Sequence, residues 1–117
     1  MLQGLRTTIY RVDDLARATA WYGQLLGQTA YFNQPFYVGF NVGGYELGLI
    51  PDGDSAGTYW GTADIDAEFA HAIAHGASVY SSIKDVGEGI RVASVKDPFG
   101  NIVGLIENPH FKLPDAR

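Results

Sequence analysis

Two stretches of the chain share the same order of apolar and polar positions. Each begins with a short run rich in β-branched and aromatic residues and continues with a segment of helical spacing that ends at a glycine. Three further short β-like runs complete each stretch. The first stretch covers about residues 1–55 and the second about residues 56–117. This self-similarity predicts one α+β domain made of two tandem βαβββ modules.

In the first module, Asp13 and Asp14 offer an N-cap to a helix whose apolar positions recur at helical spacing, and Gly27 is a suitable residue to end it. Gly43-Gly44 lies between two apolar runs and predicts a tight hairpin, because glycine accepts positive φ without penalty. The predicted strands are Leu5–Val12, Thr29–Phe32, Phe36–Val42 and Tyr45–Ile50. A flexible linker is predicted over Pro51–Ala56.

The second module repeats the pattern. Asp64 or Asp66 caps a helix that contains Ile65 and Phe69 and stops at Gly76. The predicted strands are Thr58–Ala63, Ser78–Ile83, Ile90–Val95 and Ile102–Glu107, with Asp97-Pro98-Phe99-Gly100-Asn101 as the turn before the last. Two such modules predict two curved sheets, each with a helix on its convex side. Their concave sides enclose a cleft, which is where we expect a ligand to bind.

Charge and composition narrow the choice of partners. The formal net charge of the 117 residues is −5, and the eight basic residues form no run, which argues against nucleic acid. The chain has no cysteine, which excludes disulfides, thiolate nucleophiles and cysteine-metal sites. No apolar window approaches the length of a membrane span, so we expect no membrane partner. A cytoplasmic location is predicted.

Three motifs together resemble the vicinal oxygen chelate superfamily, which includes glyoxalase I, bleomycin-resistance proteins and extradiol dioxygenases. They are Val12-Asp13-Asp14-Leu15 leading to Trp21-Tyr22 and Leu26-Gly27, Ala63-Asp64-Ile65-Asp66 leading to Gly76-Ala77, and Asp97-Pro98-Phe99-Gly100-Asn101 before an apolar strand. The resemblance implies the glyoxalase/bleomycin resistance fold and a homodimer.

The resemblance also implies where metal ligands would stand. Enzymes of the superfamily bind a divalent metal with four side chains, typically histidines and glutamates. Here the corresponding positions fall on Thr7, Gly57 and Gly104, and on Gly48 or, if the register differs by one pleat, on Glu46. Glycine supplies no ligand, and one carboxylate cannot hold a transition metal tightly. The prediction is therefore no metal and no cofactor.

Seven residues are predicted to line the ligand cleft: Thr7, Ile9, Glu46, Gly48, Gly57, Tyr59 and Gly104. Gly48, Gly57 and Gly104 leave room either for a ligand or for closely approaching neighbours. The leading hypothesis is a bleomycin-resistance-like protein that binds a small apolar or aromatic molecule without a metal. The alternative is a metal-dependent lyase, isomerase or dioxygenase with an atypical site. A third hypothesis is a metal-free enzyme that moves a proton.

Two side chains are candidates for moving that proton. Glu46 could act as an acid or base, or could instead pair with Arg11 or Arg91 or lie exposed at the rim. His110 could reach the cleft mouth, although its segment is expected to fold back with Phe111 as an anchor. His71 and His75 have the i, i+4 spacing of a metal pair, but a solvated helix face is the favoured interpretation.

Overall fold

The computed structural model describes residues 2–53 and 56–111. Ten elements follow one another along the chain. They are β1 (Gly4–Arg11), α1 (Leu15–Leu26), β2 (Phe32–Gln34), β3 (Tyr37–Val42), β4 (Tyr45–Ile50), β5 (Thr58–Gly61), α2 (Ile65–Ala74), β6 (Ser78–Asp85), β7 (Arg91–Lys96) and β8 (Ile102–Glu107).

The strands form one eight-stranded sheet with the order β2-β3-β4-β1-β5-β8-β7-β6. Within each module the first strand pairs in parallel with the last, β1 with β4 and β5 with β8. The two first strands pair antiparallel with each other, and this pairing joins the modules. The predicted α+β fold with two βαβββ modules is confirmed. The expectation of two separate sheets is wrong, because the β1–β5 ladder makes them continuous.

Both helices begin at the predicted aspartates. An Asp14 carboxylate oxygen accepts a hydrogen bond from the Arg17 amide at 3.0 Å, and Asp64 caps Ala67 in the same way at 3.1 Å. Gly27 ends α1 in the left-handed region, with φ of 67°. An oxygen acceptor at this position satisfies an amide that has no partner within the helix. The two equivalent caps give both modules the same strand-to-helix turn.

Some element bounds differ from the prediction. β2 begins at Phe32 rather than Thr29, since the chain between the end of α1 and Tyr31 forms no strand ladder. β6 continues to Asp85, two residues beyond the predicted end. The Gly43-Gly44 hairpin is confirmed, with φ of 62° and 91°. Residues 54 and 55 of the predicted linker and residues 112–117 of the second module lie outside the described residues.

The sheet buries different side chains on its two faces. On the convex face, Phe40 and Leu49 pack with α1, and Leu105 packs with Ile65 of α2. The concave face holds an aromatic and aliphatic cluster: Phe32, Tyr37, Tyr59, Ile90 and Ile106. Neither helix in the described ranges is long and apolar enough to cross a membrane. The concave cluster forms the base of the candidate site.

Candidate functional site in the concave face

Strand pairing sets one row of residues across the middle of the sheet. Glu46 of β4 lies opposite Thr7 of β1, Thr7 lies opposite Tyr59 of β5, and Tyr59 lies opposite Gly104 of β8. Gly48 lies one pleat further along and pairs with Ile9. The structure therefore places Glu46, and not the preferred Gly48, beside Thr7.

The Glu46 carboxylate is buried within a polar cluster. Its side chain accepts a hydrogen bond from the Thr7 hydroxyl at 2.5 Å and another from the Tyr31 hydroxyl. The Asn108 amide nitrogen lies 3.0 Å from the Tyr31 oxygen and 3.5 Å from Glu46 Oε2. Glu46 is only 2% exposed, so these donors replace the water that a carboxylate otherwise requires. Glu46 does not lie exposed at the rim, and neither Arg11 nor Arg91 forms an ion pair with it. Arg91 instead pairs with Asp66 and Glu107.

Arg6 is a cation that interacts electrostatically with this cluster. An irregularity in the β1–β5 ladder between Leu5 and Thr7 accompanies the burial of both Arg6 and Thr7. The Arg6 guanidinium donates to the Gln3 side chain at 2.7 Å and lies 5.0 Å from the centre of the Phe111 ring. Burial lowers the pKa of Arg6, and the Glu46 charge opposes that shift. Arg6 thus balances part of the buried negative charge without a direct ion pair.

Tyrosine side chains occupy the space beside two of the glycines. A Cβ added to Gly48 would lie 2.4 Å from the Tyr37 hydroxyl oxygen, and one added to Gly104 would lie 2.6 Å from Tyr59 Cδ2. The Gly104 position is also limited by the Thr58 carbonyl oxygen at 2.7 Å. At Gly48 and Gly104, therefore, the missing side chains accommodate packed neighbours and do not leave open ligand space.

Gly57 differs from these two glycines. No described atom lies within 4 Å of its Cβ position, and its φ of 86° is one that L-residues rarely adopt. The backbone conformation itself accounts for glycine there. The space beside Gly57 is therefore open, unlike the space beside Gly48 and Gly104.

The hydroxyl of Tyr37 is an unusual feature of the cluster. Tyr37 is 6% exposed, and within the described ranges its hydroxyl has no hydrogen-bond partner of good geometry. Burial, followed by the nearby Glu46 charge, raises the pKa of Tyr37 far above its usual value, and the same two causes raise the pKa of Tyr31. Both phenols therefore stay protonated, and that of Tyr31 donates to Glu46.

A cavity of about 840 Å³ opens above these tyrosines. Its walls come from both modules, including Ile9, Tyr37 and Ile50 from the first and Tyr59, Ile90 and Ile106 from the second. Of the seven predicted cleft residues, Ile9 and Tyr59 line this space. Thr7 and Glu46 belong to the buried polar cluster, and the cavity wall does not include Gly48, Gly57 or Gly104.

The C-terminal segment closes one end of the concave face. The Phe111 ring lies 5.8 Å from the Tyr31 ring and is 6% exposed, as the predicted anchor role requires. His110 is exposed, and its Nε2 lies 2.6 Å from the Glu88 carbonyl oxygen in the turn between β6 and β7. Glu88 has a φ of 57°, the one positive φ of a non-glycine residue in the described chain. His110 thus ties residues 108–111 to this turn, and its ring centre lies 5.0 Å from that of Phe32 in the concave cluster, but His110 does not line the cavity.

The donor set does not fit a transition-metal ion. The row contains one carboxylate, one threonine hydroxyl, one tyrosine and one glycine, and the described residues include no group of three or more histidine, cysteine or acidic side chains that could hold a metal. His71 and His75 stack with ring centres 5.5 Å apart at the end of the outer helix α2, where His75 is the C-cap. Hard and borderline metals need several converging ligands. Neither the row across the sheet nor the histidine pair supplies them.

Two βαβββ modules that join into one sheet and line a common cavity define the structural class of this protein. The family model described as Glyoxalase/Bleomycin resistance protein/Dioxygenase superfamily matches residues 4–105, and the chain belongs to this superfamily. The predicted resemblance is confirmed. A comparison with curated protein sequences finds no significant match.

Solved structures agree with the fold assignment. A variant of Streptomyces coelicolor methylmalonyl-CoA epimerase in complex with 2-nitronate-propionyl-CoA has a TM-score of 0.71 at 19% identity and covers 97% of this chain and 100% of its own. The Mycobacterium tuberculosis epimerase has a TM-score of 0.62 at 22% identity, covering 91% and 88%. A Legionella pneumophila structure described as an NAD-dependent benzaldehyde dehydrogenase has a TM-score of 0.66 at 14% identity, covering 86% and 96%. At these identities the similarity shows the fold and not the activity.

Sequence reasoning missed Arg6, Tyr31, Tyr37 and Asn108. Tyr37 and Gly39 are two residues apart on β3, and Gly39 pairs with Gly48. A pattern of tyrosines next to glycines on neighbouring strands was the available signal, since a glycine makes room for a large ring on the adjacent strand. Arg6 carries no such signal, because an irregularity in strand pairing is not visible in the apolar pattern.

Proposed function

We propose that this protein binds a small, largely apolar or aromatic molecule in the concave cavity and that it does so without a metal ion. The observation that carries the proposal is the cavity of about 840 Å³ lined mainly by aromatic and aliphatic side chains. This volume falls in the range of about 300–1,000 Å³ that is typical of small-molecule sites. Apolar burial supplies the binding free energy, at about 25 cal/mol per Å².

The charges around the cavity argue against a ligand with several phosphates. Among the described residues of the cavity wall, Lys84 is the one cation, and the exposed Asp52 carboxylate lies on the same wall. The epimerase structures contain acyl-CoA molecules. Several phosphates require several cations or a helix N-terminus, so we propose a ligand without them.

Proton transfer by Glu46 is not favoured. Its carboxylate lies among Thr7, Tyr31 and Asn108 and is outside the cavity wall. A general base must come within hydrogen-bond reach of the proton that it removes. In this arrangement the Glu46 carboxylate positions the Tyr31 hydroxyl by a hydrogen bond.

A pair of neighbouring serines offers a direct test. Ser81 lines the cavity, whereas Ser82 is exposed and lies outside the cavity wall. We expect Ser81→Trp to fill the cavity and to abolish binding of small aromatic compounds, measured by equilibrium dialysis against a panel of neutral bicyclic aromatics. Ser82→Trp is the matched control and should bind them as the unmodified protein does. Equal binding by both variants would place the ligand elsewhere and contradict the proposal.

A further inference from the structure

Two serine hydroxyls face the cavity from neighbouring strands. Ser81 of β6 is paired in register with Ser94 of β7, and both line the cavity. Side chains of directly opposed residues on one face of a sheet have Cβ atoms about 5 Å apart. The two hydroxyls therefore form one polar spot on a wall that is otherwise mainly apolar.

Neither serine hydroxyl is used by the fold. Ser94 is 5% exposed, and within residues 2–53 and 56–111 no side-chain hydrogen bond involves Ser81 or Ser94. The Ser94 oxygen is not among the buried side-chain atoms that lack a partner in the described residues, so it stays open to the cavity. A ligand that covers the pair must therefore offer it a hydrogen bond, because a hydroxyl left unpaired beneath an apolar ligand costs free energy.

The surroundings of the pair define the charge of that ligand. In the part of the wall that the structure describes, two residues are charged, Lys84 and Asp52, and they are exposed and opposite in sign. The buried polar groups of the wall include Ser94 and the hydroxyl of Tyr37, which are neutral. A carboxylate placed beside Ser94 would lose its hydration without gaining a buried counter-charge, which is costly.

We propose that the Ser81–Ser94 pair recognises a neutral oxygen-bearing group, a hydroxyl or a carbonyl, on an aromatic ligand. A serine hydroxyl both donates and accepts, so the pair can serve either group. This inference rests on the proposed function, because it concerns the same cavity. It goes further in naming the polar group of the ligand and the residues that select it.

The experiment compares three ligands of the same shape by equilibrium dialysis at pH 7: 2-naphthol, 2-methylnaphthalene and 2-naphthoate. We expect 2-naphthol to bind about three- to tenfold more tightly than 2-methylnaphthalene, which corresponds to one net hydrogen bond. We expect 2-naphthoate to bind more weakly than both. In Ser94→Ala the advantage of 2-naphthol should disappear, while the affinity for 2-methylnaphthalene stays within about twofold.

Ser82→Ala is the control, because Ser82 is exposed and outside the cavity wall. It should retain the full preference for 2-naphthol. Equal binding of 2-naphthol and 2-methylnaphthalene by the unmodified protein, or a preference that survives in Ser94→Ala, would overturn the role of the serines and leave the cavity proposal intact. Tightest binding of 2-naphthoate would overturn the neutral-ligand assignment. A failure of all three ligands to bind would contradict the proposed function together with this inference.

Discussion

Replacing Gly104 with alanine tests whether tyrosine packing explains the glycines of the concave face. The new Cβ would lie 2.6 Å from Tyr59 Cδ2 and 2.7 Å from the Thr58 carbonyl oxygen, whereas ordinary contacts begin at 3.4 Å. The Thr58 oxygen belongs to the backbone of β5, which is paired on both sides, so it cannot move away freely. Overpacking of this kind costs about 1–3 kcal/mol, and the lower chain entropy of alanine offsets about 0.4–1 kcal/mol.

We therefore expect Gly104→Ala to lower the free energy of unfolding by about 1–2 kcal/mol and Tm by about 4–8 °C. Urea denaturation followed by far-ultraviolet circular dichroism measures the change. Gly57→Ala is the informative comparison, because its Cβ position is free of described atoms and any loss there comes from the φ of 86°. A Gly104→Ala variant as stable as the unmodified protein would refute the packing account and would indicate open space at this position.

Four further outcomes are expected. Tyr31→Phe should cost about 1.5–3 kcal/mol of stability because its hydroxyl donates to a buried carboxylate. Tyr37→Phe should cost less than about 0.5 kcal/mol, because its hydroxyl lacks a partner in the described chain; urea denaturation compares the pair, and equal losses would contradict this reasoning. Hydrogen bonds from the Asn101 amides, and then from Phe99, hold the pKa of Asp97 below its usual value. These hydrogen bonds therefore stabilise the folded protein fully above the ordinary aspartate pKa of about 3.9, and this stabilisation is lost as the pH falls through the lowered pKa. Unfolding measured between pH 7 and pH 2.5 should show a shallower acid-side decline in Asp97→Asn, and an unchanged slope would count against this assignment. We also expect a homodimer, since exposed Trp21 and Leu25 on α1 are apolar surface that association can cover; sedimentation velocity at micromolar concentration should show a dimer, and a monomer alone would contradict it.

The sequence was sufficient to predict the modules and the helix starts. Asp14 and Asp64 are caps with a local mechanism, and Gly43-Gly44 is a turn that only positive φ explains, so neither depends on distant contacts. The joining of the halves was not predictable in the same way. Pairing of β1 with β5 depends on the edges that the two strands present, and the apolar pattern contains no information about it.

The candidate site was less predictable than the fold. Glu46 was predicted to line the cleft, but its environment depends on Tyr31 and Asn108, which are 15 and 62 residues away in the chain. The interpretation that Gly48 leaves room for a ligand is wrong for a similar reason. The ring that fills the space beside Gly48 belongs to Tyr37, which lies on another strand. Contacts between distant segments determine both features.

Binding of 2-naphthol after removal of metals tests the central claim most directly. Protein treated with EDTA and dialysed should bind one equivalent in titration calorimetry, and the affinity should not change when Ni²⁺, Mn²⁺, Zn²⁺ or Fe²⁺ is added back. Ser81→Trp should abolish the heat of binding in both states, because it fills the cavity. Binding that appears only after a divalent ion is restored, or that persists in Ser81→Trp, would contradict a metal-independent site in this cavity.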